Sequence, residues 1–270
     1  MRLRTRHLLI ICVCALLASC DGYQKVLKSS DVNYKLTKAN EYYNEKKWQR
    51  ANELYESLLP IMKNTKNYEP LYYRYAYTNY YMKDYLSASY HFKNFVDFFP
   101  NSKDADECEF MHAVSLYKYS PKYSLDQTNT IKAYEAMQSY VNTHPNSKRI
   151  TETNSYMEDC RHKLEMKESD AAQLYYNIAQ YKAASVSYKS VMHNYPESLS
   201  SDYYQFMIVK SLYKYAKASI KEKQEERYEN TISAYHELVD TYPKSKYLQD
   251  AEKFYTLADN SVKQIRNEHK

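Results

Sequence analysis

Residues 88–102 read ASYHFKNFVDFFPNS, and this stretch decides the fold. Ala88, Phe92 and Phe95 follow each other at intervals of four and three residues, which places them on one face of an α-helix. Pro100 ends that helix, because proline lacks an amide hydrogen and biases the preceding residue away from helical angles. The serine two residues later suits the N-cap of the next helix. The stretch therefore predicts the second helix of a helix–turn–helix unit, followed directly by another helix.

The same pattern recurs along the chain. Three further segments end in a proline with a serine two residues later, and their prolines are Pro145, Pro196 and Pro243. The small residues twelve positions before the four prolines are Ala88, Ala133, Ala184 and Thr231. A fifth copy without the proline has Trp48 three residues before its small residue, Ala51. Spacings of 37, 45, 51 and 47 residues between the small residues indicate repeated units, with extra length in the third to fifth.

This arrangement of small residue, large residue and proline in a helix–turn–helix resembles the tetratricopeptide repeat (TPR). The resemblance implies an all-α fold, a TPR-like solenoid of about five helical hairpins wound into a right-handed superhelix. We expect the solenoid to occupy residues 34–265. A single unit cannot bury its apolar face alone, so the stacked units form the core together.

The composition agrees with an all-helical chain. Gly22 is the only glycine among 270 residues, so glycine-dependent hairpins and phosphate-binding loops cannot be built. This excludes P-loop NTPases, Rossmann dehydrogenases and α/β-hydrolases. Tyrosine occurs 34 times. Most of these rings are expected to fill the grooves between helices, with their hydroxyl groups reaching water.

Adjacent tyrosines are one source of candidate contact residues, because neighbours on a helix lie about 100° apart and cannot both face inward. Such pairs are Tyr42-Tyr43, Tyr72-Tyr73, Tyr80-Tyr81 and Tyr203-Tyr204. We expect one ring of each pair at the rim or on the concave surface, and we assign Tyr72 and Tyr73 as partner-binding residues. The charged stretch 221–228 is either a solvated helix extension or a docking surface. In the second case Arg227 and Tyr228 contact the partner.

The sequence offers no catalytic pattern. Histidines after residue 20 occur singly, without an HExxH motif, and no CxxC motif follows the signal segment. His144 takes the place of aromatic residues in sister repeats, so we predict that it packs. Cys108 and Cys160 are expected to be independent buried thiols, although an oxidising compartment would permit a disulfide. We therefore expect no enzymatic activity, no metal and no cofactor.

The charge balance argues against a nucleic-acid binder. The net charge is +5, but the three arginines before position 20 account for most of it, and without them it is +2. Proteins dedicated to nucleic acid carry a much stronger basic excess. We therefore expect no nucleic-acid partner.

The N-terminus has the features of a bacterial lipoprotein. In residues 1–19 three arginines precede a short apolar run, which is typical of a secretory signal peptide. Residues 17–20, LASC, resemble a lipobox, which implies cleavage before Cys20 and covalent lipid on that residue. Several acyl chains would hold the protein stably on a membrane. Residues 20–33 are mostly polar, and we predict that they form a tether.

The lipobox, the five long repeats and the Pro-x-Ser endings together resemble the BamD family of lipoproteins. The stretch from Glu222 to Tyr228, followed by Asn230-Thr231-Ile232, is also similar to that family. The resemblance implies a non-enzymatic scaffold, lipid-anchored to the outer membrane on its periplasmic face. Its C-terminal repeats would bind the POTRA domains of a BamA-like barrel protein. Its N-terminal repeats would bind unfolded β-barrel precursors and help to insert them into the outer membrane.

Other interpretations remain open. A periplasmic TPR adaptor lipoprotein that coordinates cell-envelope or division enzymes is the main alternative, although such adaptors often carry an N-terminal coiled coil. A SusD-type nutrient-binding lipoprotein is normally far longer, and an enzyme would need an unrecognised site among the repeats. Asp21 directly follows Cys20, and in enterobacteria an aspartate there favours retention in the inner membrane. We expect that this lineage-dependent rule does not apply.

Overall fold

The computed structural model describes residues 22–268, and the regular structure within them is α-helical. This confirms the predicted all-α fold class. The described residues form two compact units, the first from residues 22–121 and 127–160 and the second from 122–126 and 161–268. The helices are α1 (residues 22–27), α2 (Val32–Asn44), α3 (Trp48–Met62), α4 (Tyr68–Tyr81), α5 (Tyr85–Phe98), α6 (Ala105–Tyr119), α7 (Thr128–Thr143), α8 (Ile150–Asn177), α9 (Tyr181–Asn194), α10 (Ser201–Lys217), α11 (Lys221–Thr241) and α12 (Leu248–Glu268).

Each unit is a series of helices in which neighbours along the chain pack on one another. In the first unit, α2 packs on α3, and the series continues in order to α7. In the second unit, α10 packs between α9 and α11, and α12 contacts both α10 and α11. Consecutive helices joined by short turns form helical hairpins. The structure therefore has the repeating helical-hairpin architecture that the sequence predicts.

The small and large residues at equivalent positions of the repeats form the core of these units. The five small residues Ala51, Ala88, Ala133, Ala184 and Thr231 are all 0% exposed. Of the large residues four positions later, four are fully buried, namely Tyr55, Phe92, Met137 and Tyr188. The fifth, Tyr235, is half-buried and stacks on Tyr255 of α12 with ring centroids 4.7 Å apart. Small residues let neighbouring helices approach closely, and the larger side chains fill the grooves beside them.

The serines of the Pro-x-Ser turns have a different role from the predicted N-cap. In each turn the next helix begins three residues after the serine. The serine Oγ accepts a hydrogen bond from the backbone N–H two residues later. It also donates to a carboxylate of an earlier helix, 33 to 43 residues back in the chain. These pairs are Ser102–Glu69 (2.6 Å), Ser147–Asp106 (3.3 Å), Ser198–Glu165 and Ser245–Asp202 (2.8 Å). Each serine thus ties its turn to the helix that the turn packs beside.

The turns inside three hairpins pass through a left-handed residue that is not glycine. Lys46, Lys83 and Ala179 have φ values of 59°, 66° and 61°. In each case the residue donates its N–H to the carbonyl three positions earlier, and the next residue donates to the carbonyl five positions earlier. This is the Schellman motif, which glycine usually completes because it has no Cβ. The chain uses the motif without glycine.

The start of the described chain packs on the first hairpin. Tyr23 and Val26 of α1 are 8% and 3% exposed and belong to the same core cluster as Leu54. The Tyr23 hydroxyl donates to the Glu53 carboxylate, and its ring lies 5.7 Å from that of Tyr42. The sequence predicts a tether over residues 20–33. Its described part, from residue 22, instead contains a helix whose Tyr23 and Val26 side chains are buried and whose Leu27 packs partly buried against the same cluster.

The extra length of the later repeats lies where the sequence analysis placed it. The connection between α6 and α7 is a loop over residues 120–127, while α8 and α11 are lengthened helices of 28 and 21 residues. Cys108 and Cys160 are both buried thiols, as predicted. Burial raises the pKa of the Cys108 thiol, which keeps it protonated.

Candidate partner-binding surfaces

A groove in the second unit is the main candidate for a binding surface. It lies between α9 and α11, has a volume of about 450 Å³ and is floored by side chains of α10. Its lining includes Lys182, Val186, Lys189, Leu212, Tyr215, Lys223, Glu226, Arg227 and Glu237. The groove therefore contains Arg227, which the sequence analysis selected.

Arg227 is held in a fixed orientation within this groove. Its guanidinium carbon lies 4.2 Å from the centroid of the Tyr215 ring, a cation–π contact between α11 and α10. One of its nitrogens donates a hydrogen bond to the Ser219 hydroxyl. Gln224 donates to the backbone carbonyl of the same serine at 3.1 Å, so the α10–α11 turn is bound from two sides. An ordered guanidinium loses less side-chain entropy when it binds an anion.

The charge of the groove is predominantly positive. Four cations line it, Lys182, Lys189, Lys223 and Arg227, against the two acids Glu226 and Glu237. Both acids have partners within the protein. Glu226 lies 3.7 Å from Lys223, and Glu237 accepts a hydrogen bond from Gln205 at 3.1 Å. Val186 is 56% exposed and gives the groove an apolar element. These features suit an acidic segment of a partner that also carries an apolar side chain.

Tyr228 does not belong to this surface. It is 5% exposed and packs with Tyr213, Ala258 and Val262 in the core between α10, α11 and α12. The sequence analysis assigned Tyr228 to partner contact together with Arg227, but successive helical residues face in different directions. Arg227 faces the groove, while Tyr228 faces inward. Burial of the Tyr228 ring argues against direct contact with a partner.

The pair Tyr72-Tyr73 in the first unit is also internal. Tyr72 is 4% exposed and its hydroxyl lies 3.1 Å from Nδ1 of His91. Burial raises the pKa of Tyr72 to about 12. Tyr73 is half-buried against Tyr77 and Phe95, with ring centroids 4.9 Å and 5.8 Å away. Neither ring is a free rim residue, because both pack in a core cluster with side chains of α5 and α6.

Other aromatic residues of the first unit are more accessible. Tyr81, at the end of α4, is 41% exposed and stacks on Trp48, with ring centroids 4.3 Å apart. Tyr90 and Phe98 on α5 are 62% and 54% exposed. The sequence analysis did not select Trp48, Tyr90 or Phe98. In α5 the residues Leu86, Tyr90 and Phe98 lie outside the repeat positions that are buried. Their position relative to that pattern could have indicated that they are exposed.

His144 and His112 have structural contacts. His144 lies at the end of α7, 2.8 Å from Glu109 and against the Tyr140 ring, so it packs as predicted and also forms a polar contact. His112 lies 2.9 Å from the Ser89 carbonyl oxygen, and burial lowers its pKa. Among residues 22–268 there is no group of three His, Cys, Asp or Glu side chains arranged to hold a metal ion.

Two further features concern the membrane. Cys20, the predicted lipidation site, and the signal segment 1–19 lie outside the described residues. No described helix has the length and apolarity needed to span a bilayer.

Helical hairpins packed in series define the class of helical repeat proteins. The family model described as YfiO, outer membrane lipoprotein, matches residues 29–201 and 170–264. The chain therefore belongs to this family of outer membrane lipoproteins. Over 130 residues it is 26% identical to a protein of Aquifex aeolicus (strain VF5) whose name assigns it to outer membrane protein assembly as BamD. That alignment covers 48% of this chain and 42% of the relative.

The matches among solved structures are more distant. The TPR2AB domain of yeast Sti1, in a complex with pHSP90, has a TM-score of 0.40 and 13% sequence identity. The alignment covers 85% of this chain and 99% of that one. RapI in its apo form has a TM-score of 0.35 and 12% identity, with 88% and 99% of the two chains covered.

Proposed function

We propose that this protein is a lipid-anchored, non-enzymatic scaffold for outer membrane protein assembly, located on the periplasmic face of the outer membrane. Membership of an outer membrane lipoprotein family supports the location. The name of the Aquifex relative supports the role in assembly. Cys20 follows small residues at the end of an apolar run, as lipid attachment would require.

The second unit would bind the POTRA domains of a BamA-like barrel protein. The observation that carries this assignment is the orientation of Arg227, stacked on Tyr215 at the edge of the positively charged groove. Arginine in a partly desolvated, pre-ordered position is a frequent interface hot spot. Its planar guanidinium can take two oxygens of a partner carboxylate at once. The neighbouring lysines would raise the association rate with an acidic partner.

The first unit would bind unfolded β-barrel precursors. Leu86, Tyr90 and Phe98 lie four and eight residues apart on α5 and are each more than half exposed. At about 100° per residue the three side chains lie within an arc of about 120° on the exposed side of the helix. An exposed apolar strip of this kind fits the alternating aromatic and apolar side chains of a barrel strand. The contact would be weak and sequence-tolerant, as a receptor for many precursors requires.

Replacing Arg227 with glutamate tests the partner assignment. We expect Arg227→Glu to weaken binding to the POTRA domains of the cognate barrel protein by about 2 kcal/mol, or roughly 30-fold in Kd. The reason is that the substitution places a carboxylate where the partner's carboxylate would bind. Binding is measured by calorimetry with purified full-length protein, and helical content by circular dichroism.

Lys244→Glu is the matched control. Lys244 is exposed in the proline turn after α11 and lines no part of the groove, yet the substitution changes the net charge equally. We expect it to leave the Kd unchanged within error. Equal binding by the wild type and the Arg227→Glu variant would overturn the assignment of the groove.

A further inference from the structure

The start of α1 lies against one end of the first hairpin. Tyr23 contacts the ring of Tyr42 in the last turn of α2, and Arg50 in the first turn of α3 lies 5.2 Å from the Tyr23 ring. The Tyr23 hydroxyl donates to Glu53 one helical turn further on. These contacts fix residue 23 beside the α2–α3 turn. The chain enters the folded body at this hairpin end.

The anchor must therefore be close to the same hairpin end. This step rests on the proposed lipid on Cys20. Only Asp21 separates Cys20 from Gly22, and two residue steps span at most about 7 Å of extended chain. A lipid on Cys20 places the glycerol group at the level of the phospholipid headgroups. The bilayer surface is thus within a short distance of the α2–α3 turn, whatever path residues 20–22 follow.

The side chains at this end are those that favour a membrane interface. Trp48 begins α3 and stacks on Tyr81 at the end of α4, while Tyr43 lies 5.3 Å from the Trp48 ring. Tyr80 contacts Tyr85 across the α4–α5 turn, with ring centroids 5.5 Å apart. The two hairpin turns therefore meet in one aromatic cluster. Tryptophan and tyrosine prefer the headgroup region because one end of the ring system is apolar and the other hydrogen-bonds to water.

Cations accompany these rings. Lys46, Lys47 and Lys83 are exposed in the same two turns, and Lys25 of α1 is also exposed. The acids of the two turns are partly engaged, since Glu45 lies 2.7 Å from Lys47 and Asp84 caps α5. Lysine near a bilayer buries its methylene groups and keeps the ammonium among phosphates. At the other ends of these helices, the α3–α4 connection over residues 63–67 carries Lys63 and Lys66, and the α5–α6 proline turn carries Lys103 beside Asp104.

We infer that the α2–α3 and α4–α5 turns of the first unit, with Trp48 and Tyr81 at their centre, rest on the phospholipid surface beside the anchor. The lipid and this turn surface give two points of attachment, so the first unit has a defined orientation relative to the bilayer. Without the second contact, a single lipidated residue would leave the body free to rotate about the anchor. The predicted ligand is the headgroup layer of a phospholipid bilayer.

Trp48 is a built-in reporter, because it is the only tryptophan in the chain. Full-length lipidated protein is reconstituted into vesicles of phosphatidylethanolamine and phosphatidylglycerol, with or without lipids brominated near the top of the acyl chains. We expect Trp48 emission to shift to shorter wavelength on reconstitution and to lose intensity with brominated lipid. Lys46→Glu combined with Lys83→Glu should reduce both changes.

The control is a variant in which the tryptophan is moved from position 48 to another site. Trp48→Phe combined with Phe98→Trp transfers the only tryptophan to the opposite end of α5, where Phe98 is exposed. Emission from position 98 should be unaffected by brominated lipid. Absence of quenching at Trp48 in protein whose mass includes the lipid would overturn the inference, as would equal quenching at positions 48 and 98. A purified mass without lipid would instead contradict the proposed anchor, so the two failures are distinguishable.

Discussion

At the residue scale, the neighbours Arg227 and Tyr228 show how far spacing alone can assign a role. The charged stretch around them predicts a surface segment, and Arg227 does line a groove. Tyr228 is core because the next helix, α12, covers its side of α11 through Ala258 and Val262. Which of two adjacent helical residues faces inward depends on what packs on the helix, and the sequence near residue 228 contains no sign of α12. Tyr72 is buried for the same kind of reason, because His91 and Phe98 of α5 pack against its ring.

The left-handed turn residues could not be identified from the sequence either. Lysine and alanine carry no preference for positive φ, and the absence of glycine suggested that such turns would be avoided. Lys46, Lys83 and Ala179 adopt the conformation because the hydrogen bonds of the Schellman motif and the packing of both helices determine it.

Relief of this backbone strain gives a prediction at one residue. Ala179→Gly should raise the free energy of unfolding by about 1 kcal/mol, because glycine adopts positive φ without the Cβ clash that alanine suffers. Chemical denaturation monitored by circular dichroism measures the change. Ala184→Gly, at a buried helical position with the same alteration in atoms, should destabilise. Equal loss of stability in both variants would contradict the explanation.

At the scale of elements, each proline turn ends one helix, and its serine binds a carboxylate of an earlier helix. The sequence predicts the stop, because proline acts locally. The tie requires an acid that is 33 to 43 residues earlier in the chain, and periodicity within a helix does not reveal that pairing. The serines were therefore assigned to the N-cap, which was wrong in position, although their hydrogen bond to a nearby backbone N–H was expected.

The tie at the α11–α12 turn is suited to measurement. Ser245 donates to Asp202 at 2.8 Å and accepts from the Tyr247 N–H at 3.1 Å. Ser245→Ala should lower the free energy of unfolding by about 1–2 kcal/mol, since it removes both bonds and leaves a partly buried carboxylate with one donor fewer. The check is thermal or urea unfolding.

Ser261→Ala serves as its control. Ser261 donates only to the Leu257 carbonyl one turn earlier in α12, on an exposed part of that helix. The substitution should change stability by less than about 0.5 kcal/mol. Similar effects of the two replacements would show that the turn serines contribute nothing beyond an ordinary hydroxyl.

At the scale of the molecule, the fold was predictable because the same residue pattern recurs in each repeat. Five small residues at equivalent positions predict stacked hairpins more reliably than any single stretch of sequence. In the structure all five are fully buried. The binding surfaces were less accessible to prediction. A groove arises from side chains of three helices, and the pairing of Arg227 with Tyr215 joins α11 to α10. Only the folded arrangement brings those side chains together.

The cooperation between helices predicts the effect of a truncation. Ending the chain after Lys246 removes α12, whose Ala251, Ala258 and Val262 are buried against the second unit. The loss should expose Tyr213 and Tyr228, reduce amide hydrogen-exchange protection in α11 and α10, and lower the melting temperature. Deleting only residues 267–270 should leave exchange in both helices unchanged. Full protection of α11 without α12 would contradict this account of the core.

The proline turns between repeats and the connections within hairpins differ in how freely their lengths can change. The four proline turns each leave six residues between helices, with the serine tie in every copy. The connections within hairpins leave three residues in four cases and eight between α6 and α7. The long connection thus lies inside a hairpin, where no Pro-x-Ser turn sets its length, and it is bonded to α8 by the Lys167 ammonium and the Ser124 carbonyl oxygen at 2.9 Å. An epitope or a fluorescent label is best introduced into residues 120–127, and a domain grafted into a proline turn would separate neighbouring repeats.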